Sequence, residues 1–438
     1  MRGTRALGAL LVPLVCSLAR AQEAPIDLAE ARRAFAGAED ASDLDGGALW
    51  GVGLHGPLFL VDPGTRYLVA NRADPEGRLR EEQGVWTGTL SEEINPANAA
   101  VDWAGLRWSM VLWPPPTIPH ARNRLLLHES FHRIQEDVGL AAENPSNGHL
   151  DTRDGRIWMR LEMRALAEAL TSRGGGRTAS IRDALDFRAR RRSLFPAAAA
   201  EESALERNEG MAEYTGLVLS GLPVEVLADR AAVDLERREA SESFSRSFAY
   251  ATGPAYGVLL DESGRPWREA LVAGAAFAEL LEAAYEPAAA ATPVEERIAR
   301  YNGERVVALE TAREAERLAR EADLRARFVD GPVLRLAPGP EFSFSFDPND
   351  AVNLDGGTVY GSTRVTDVWG ILEVDSGGAL FLRNAEGWFT GVVVPVPAGD
   401  QARPTTGDGW RLDLADGWEL APGERAGDWV VLQRSAGS

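Results

Sequence analysis

Between Ala48 and Trp113 the chain runs in short apolar stretches, ALWGVGLHGPLFLV and GLRWSMVLW among them, cut by DPG, DPEG, INPAN and the triple proline Pro114-Pro115-Pro116. Short apolar runs between turn formers are the pattern of β-strands. Just upstream, PIDLAEARRAFAGAED (25–40) opens on a proline and predicts a short helix. Beyond Pro116 the apolar residues return with helical spacing, which predicts helices over 120–137, 154–171, 178–194, 200–220, 224–240 and 265–284. A long charged helix follows at 294–328, interrupted at Asn302-Gly303. The joints SRGGGR, FPAAAA and EPAAAATP read as linkers. From about Gly331 the alternation of FSFSF and the pieces GTVYG, TDVWGILEV, GALFLR and DWVVLQ, separated by DPND, DGG and DSGG, predict strands again, in a small antiparallel sandwich or barrel. Strands, then helices, then strands make an α+β catalytic region with an all-β appendage. The boundaries expected are a leader at 1–21, an N-terminal helix with a β-rich part at 22–118, a helical region at 119–330 and a β domain at 331–438.

The first 21 residues break the pattern. Arg2 and Arg5 precede an apolar run from Ala6 to about Leu18, and Ala19-Arg20-Ala21 follows. That is the plan of a cleaved secretory signal, too short to be a membrane span, and it predicts a secreted or periplasmic chain that begins at Gln22. Pro13-Leu14-Val15 lacks the small residue that a lipid-attachment site needs before Cys16. No other segment is apolar enough to span a bilayer.

Composition then narrows the chemistry. Hydrophobic residues are 45% and charged residues 26%, the proportions of an ordinary globular protein. The one cysteine, Cys16, lies in the leader, so the mature chain has no thiolate nucleophile, disulfide or cysteine ligand. There is no lysine, which removes Schiff-base chemistry. The net charge is −20, and loss of the leader's three arginines makes it more negative. Such a surface repels nucleic acid and anionic lipid. Arg188, Arg190, Arg191 and Arg192 form a local exception that reads as a solvated helix face.

Any nitrogen ligand for a metal must come from His55, His120, His128, His132 or His149. Two of these fall in LLLHESFHRIQ, 125–135. On a helix, residues four apart share a face, so His128 and His132 can converge on one cation. Glu129 leaves the helix about 100° from His128, within reach of a water on that cation without being a ligand. This is the mechanical basis of a zinc site with a general base. Leu127, Phe131, Ile134 and Val138 form a separate stripe, the expected core face. A catalytic zinc needs a third protein ligand and an open position. No histidine follows His149, so that ligand should be a carboxylate. Glu209 in RNEGMAEYTG is the first candidate, with Glu213 four residues on placed to accept the free N–H of a ligand histidine. Glu162 is the alternative. His149 reads as a loop residue and His120 as a helix start.

HESFH followed by NEGMAEY resembles the gluzincin metallopeptidases, which include thermolysin and the zinc aminopeptidases. The resemblance spans about residues 100–260. It implies a zincin-like core with inserted helices, because 76 residues separate His132 from Glu209. It implies one zinc per chain held by His128, His132 and Glu209, with Glu129 as base and Glu213 behind a histidine. Tyr250 in YATG matches the tyrosine that stabilises the oxyanion in the aminopeptidases, with Tyr214, Tyr256 and Arg246 as fallbacks. The strand Leu106–Trp113 precedes the metal helix, as the substrate-pairing edge strand does in zincins; it also reads as a plain core strand. The Gly-x-Met-Glu-Asn motif that holds a substrate amino terminus has no match. The activity implied is zinc-dependent hydrolysis of peptide or protein substrates. A zinc hydrolase of a non-peptide substrate and a non-enzymatic secreted binding protein with a structural metal are the alternatives.

Overall fold

The computed structural model describes residues 24–346, 351–354, 356–396 and 403–434; the leader read at 1–21 lies outside them. The fold is mixed α and β, with three sheets and a β-rich C-terminal region. Two compact units divide the chain, Met1–Val307 and Ala308–Ser438.

In the first unit, helix α1 (Leu28–Asp45) is capped by the Asp27 carboxylate, which accepts from the Ala29 and Glu30 amides, and it stops where Gly46 adopts φ 58°. Six strands follow: β1 (Leu58–Val61), β2 (Tyr67–Ala70), β3 (Arg80–Glu82), β4 (Val85–Thr89), β5 (Ala99–Trp103) and β6 (Leu106–Leu112). They form one sheet in the order β3-β4-β2-β1-β6-β5, antiparallel except for β1 beside β6, where Leu60 pairs with Val111. Both faces of β1 are covered. Leu58 and Leu60 join the cluster under α1, whereas Phe59 and Val61 join Trp103, Trp108 and Met110 on the opposite face. The strand before the histidine helix, β6, is therefore interior, and the edge position belongs to β5.

The stretch ALWGVGLHG does not form a strand. Gly47 and Gly51 take φ 82° and 78°, and the Trp50 indole donates to Thr215 Oγ1 at 2.9 Å, so this segment packs on the helices instead.

Helix α2 (Pro119–Ile134) sits between two cores. Leu126 faces the sheet, while Leu127, Phe131 and Ile134 face the helical core, as the apolar stripe predicts. The helices that build that core are α3 (Arg153–Thr171), α4 (Gly174–Leu194), α5 (Ala198–Leu205), α6 (Met211–Val218), α7 (Leu227–Glu239) and α8 (Ala249–Glu262). A single π-helical turn, Glu206–Gly210, joins α5 to α6. Helix α8 is absent from the sequence reading because Gly253 and Pro254 sit in its middle; burial of nearly every residue in it overrides those breakers. The expected helix 265–284 is two short ones, Arg268–Val272 and Phe277–Tyr285, separated at Gly274 with φ 106°.

In the second unit, sheets of seven and five described strands contribute buried residues to one cluster, including Leu334, Val365, Phe381, Val392 and Trp410. TDVWGILEV is a hairpin and not one strand, with Asp367 paired to Gly370. Among the described residues no helix is long and apolar enough to cross a membrane.

Candidate metal centre

The third face of α2 opens on a cleft of about 430 Å³, lined by His128, Glu129, His132, Glu209, Tyr250 and Ala99 of the edge strand β5 among others. His128 Nε2 and His132 Nε2 lie 3.1 Å apart, and Glu209 Oε2 is 3.6 Å from the first and 3.4 Å from the second. Four donors placed tetrahedrally at ~2.0–2.1 Å from a zinc ion would be about 3.3 Å apart, so this triangle has the size of one face of such a shell. Glu129 offers an oxygen within 4.8 Å of both imidazoles. The tighter and more even triangle is the one closed by Glu209.

The outer nitrogens set the direction of the inner ones. His128 Nδ1 is 2.8 Å from Glu213 Oε2, an acceptor, so Nδ1 carries the hydrogen. His132 Nδ1 is 2.8 Å from Gln135 Oε1. The Gln135 amide nitrogen donates to Ala141 O and to Asn208 Oδ1, both at 3.1 Å, which fixes the orientation of that side chain. These contacts fix the orientation of both rings, so that each Nε2 faces Glu209. Three such atoms facing one point need positive charge between them, which protons on the rings or a metal ion can supply.

The ionisation of the site follows from the same contacts. Burial would lower His128, but hydrogen bonds to Glu209 and Glu213 push it up to about 10. Burial would raise Glu209, yet His128, His132 and Tyr250 hold it well below the carboxylate range. Glu213 is likewise kept low against its burial by His128 and Arg124. Arg124 is fixed in turn, donating to Glu213 at 2.8 Å and to Asp234 at 2.5 Å. Glu129 goes the other way: burial raises it, with the two histidines opposing. Its Oε2 is buried and has no hydrogen-bond partner among the described residues.

The glutamate segment owes its position to close backbone packing. A Cβ on Gly253 would lie 2.4 Å from Gly210 Cα, so α8 and the π-helical turn touch main chain to main chain. Tyr250 lies one turn before Gly253 and Glu209 directly precedes Gly210, so this contact brings the two side chains together. The Tyr250 hydroxyl donates to Glu209 Oε2 at 2.5 Å, and its ring stacks on His128 at 5.6 Å between centroids. Gly253→Ala should therefore lower stability by about 1–3 kcal/mol through overpacking and pull Tyr250 off Glu209. Thermal unfolding and zinc content of the variant check this; wild-type values for both would mean that the helices separate without cost.

The structure removes several sequence candidates. Glu162 is fully buried away from the histidines, with its oxygens taken by Arg188 (3.0 Å), Arg191 (2.6 Å) and the Tyr256 hydroxyl (2.9 Å). That accounts for Tyr256 as well, and the Tyr214 hydroxyl is engaged by Asp261 at 2.5 Å. Arg246 does line the cleft, 3.6 Å from Glu209 Oε1. His149 lies in the turn Gly148–Asp151 and meets Glu202 at 3.0 Å, and His120 is the second residue of α2.

Two arginines of the cluster do not lie on a solvated face, whereas the Arg190 side chain is 40% exposed. Arg188 and Arg191 are buried, ion-paired to Glu162, Glu202 and Glu206. Of the residues the sequence reading missed, Gln135 and Arg124 had a signal, being three residues after His132 and four before His128 on the same helix face. Asp234 and Asn208 had none.

Comparison of the chain with protein-family profiles, curated proteins and solved structures finds no match.

Proposed function

We propose that this chain is a zinc-dependent metallopeptidase with a zincin-like core, its metal held by His128, His132 and Glu209. The observation that carries this reading is the donor triangle of 3.1, 3.4 and 3.6 Å whose histidines are already locked by Glu213 and Gln135. Bound there, zinc would polarise a scissile carbonyl and bring the pKa of a water toward neutrality.

The chain's own residues supply the remainder. Glu129 Oε2, unpartnered and buried at the cleft, accepts the proton of the attacking water and passes it to the leaving amine. Burial and Glu209 raise the Tyr250 phenol well above its ordinary value, so it stays protonated and can donate to the carbonyl oxygen as negative charge develops. An extended peptide can lie along β5, which pairs with β6 on one side only and presents Ala99 and Ala100 to the cleft. A mixed sheet followed by the histidine helix and then the glutamate helix supports this reading in outline; the strand directly before the histidine helix is interior, and the edge beside the cleft is the strand before that one.

Purified protein should hold about one zinc per chain, measured by plasma mass spectrometry. His132→Ala and Glu209→Ala should each lose most of it. Full zinc in Glu209→Ala would remove Glu209 from the ligand set and with it the gluzincin-like assignment.

A further inference from the structure

Beside the catalytic cleft, and sharing Glu213 and Tyr250 with it, lies a second pocket of about 430 Å³. Four arginines line it: Arg124 from α2, and Arg230, Arg237 and Arg238 from α7. This is unusual in a chain of net charge −20. The pocket's acids account for only half of the positive charge. Arg124 pairs with Glu213 and Asp234, and Arg230 lies 3.1 Å from Asp234. Arg237 and Arg238 form no ion pair among the described residues. The Arg238 guanidinium lies over the Tyr250 ring, 5.8 Å from its centroid. An unpaired cation is thus held one ring away from the hydroxyl that meets Glu209.

We propose that this pocket is a substrate subsite for a carboxylate, with Arg237 and Arg238 as its specificity-determining residues. The proposal rests on the peptidase reading and adds the substrate class to it: peptides with an acidic side chain, or a free C terminus, next to the cleaved bond. Two guanidiniums can hold a carboxylate through charge-assisted hydrogen bonds. The protein's overall charge repels a polyanion. Neutral peptides would leave both arginines without a partner, so the preference comes from the subsite and not from the metal centre.

The test uses full-length Glu129→Gln protein loaded with zinc, so that binding is read without turnover. Four octapeptides, labelled with fluorescein at the N terminus, carry one central glutamate or glutamine, and each has a free or an amidated C terminus. Fluorescence anisotropy should show that loss of the recognised carboxylate weakens binding about ten- to a hundredfold. A difference between glutamate and glutamine assigns the side chain; a difference between free and amidated forms assigns the terminus. Adding Arg237→Gln and Arg238→Gln should erase the difference, and Arg238→Glu should turn it toward a peptide with a central lysine. Equal binding of all four peptides, or a preference that survives the arginine substitutions, overturns the subsite. The peptidase reading fails separately, if wild-type protein cleaves none of these peptides although their binding depends on the arginines.

Discussion

Replacing Glu129 by glutamine should lower peptide turnover by at least about 10²–10⁴ while bound zinc stays at the wild-type level. The two effects separate because Glu129 lies outside the tight donor triangle. Glutamine keeps the size and a hydrogen-bonding oxygen but cannot take the water's proton. Glu129 Oε2 makes no hydrogen bond among the described residues, so the substitution breaks no structural contact there, and a loss of activity reads directly on proton transfer. Tyr250→Phe should cost less, since removal of one oxyanion donor is worth roughly 10²–10³ and the metal shares that charge. Zinc content and turnover are to be measured on the same preparations. Wild-type turnover in Glu129→Gln would rule out this mechanism and favour a site whose metal is structural.

The largest loss of stability should follow Arg188→Met. Arg188 is buried and donates to Glu162 Oε1 at 3.0 Å and to Glu206 Oε1 at 2.9 Å, with a further contact to Glu206 Oε2. Arg191 completes the group on Glu162 and Glu202, and the Thr252 hydroxyl donates to Glu206 at 2.9 Å. Removing one cation leaves buried carboxylates short of charge, which costs about 3–5 kcal/mol. Urea unfolding should show a lower midpoint with unchanged slope. The effect should reach the metal as well, because Glu206 opens the π-helical turn that carries Glu209. Zinc affinity should fall with stability. A loss below about 1 kcal/mol would mean that water or a neighbour replaces the guanidinium.

The same network sets an acid limit. Burial would raise Glu162 and Glu202, but the arginines hold both below their ordinary value, Glu202 well below. A carboxyl depressed in the folded state adds stability that is complete above its unfolded pKa and is lost as pH falls through the folded one. This contribution should therefore be intact above about pH 4.5 and decline below it, and Arg188→Met should flatten the decline. Urea midpoints measured from pH 7 down to pH 3 give the comparison.

How much of the site was legible depended on range. His128, Glu129 and His132 are four residues apart at most, and helix geometry alone places them. Glu213 follows Glu209 on one helical run, so their shared direction was also local. Gln135 was within reach of the same reasoning. Nothing local distinguishes the buried guanidiniums of Arg188 and Arg191 from solvated ones; the partners of Arg188, Glu162 and Glu206, lie 26 and 18 residues away in the chain, and those of Arg191, Glu162 and Glu202, lie 29 and 11 away. Helix α8 was missed because Gly253 and Pro254 are local breakers, whereas its formation is decided by what surrounds it.

The sequence by itself determined most of the strands and helices, the histidine pair on one helix face and the apolar stripe beside it, because each depends only on periods of two or 3.6 residues. Tertiary structure decided which carboxylate completes the triangle. It chose Glu209 over Glu162 by packing Gly210 against Gly253 and by spending Glu162 on two buried arginines. It also placed β5, and not β6, at the sheet edge beside the cleft. Those outcomes depend on contacts between residues tens of positions apart, whose energies exist only once the chain has closed on itself.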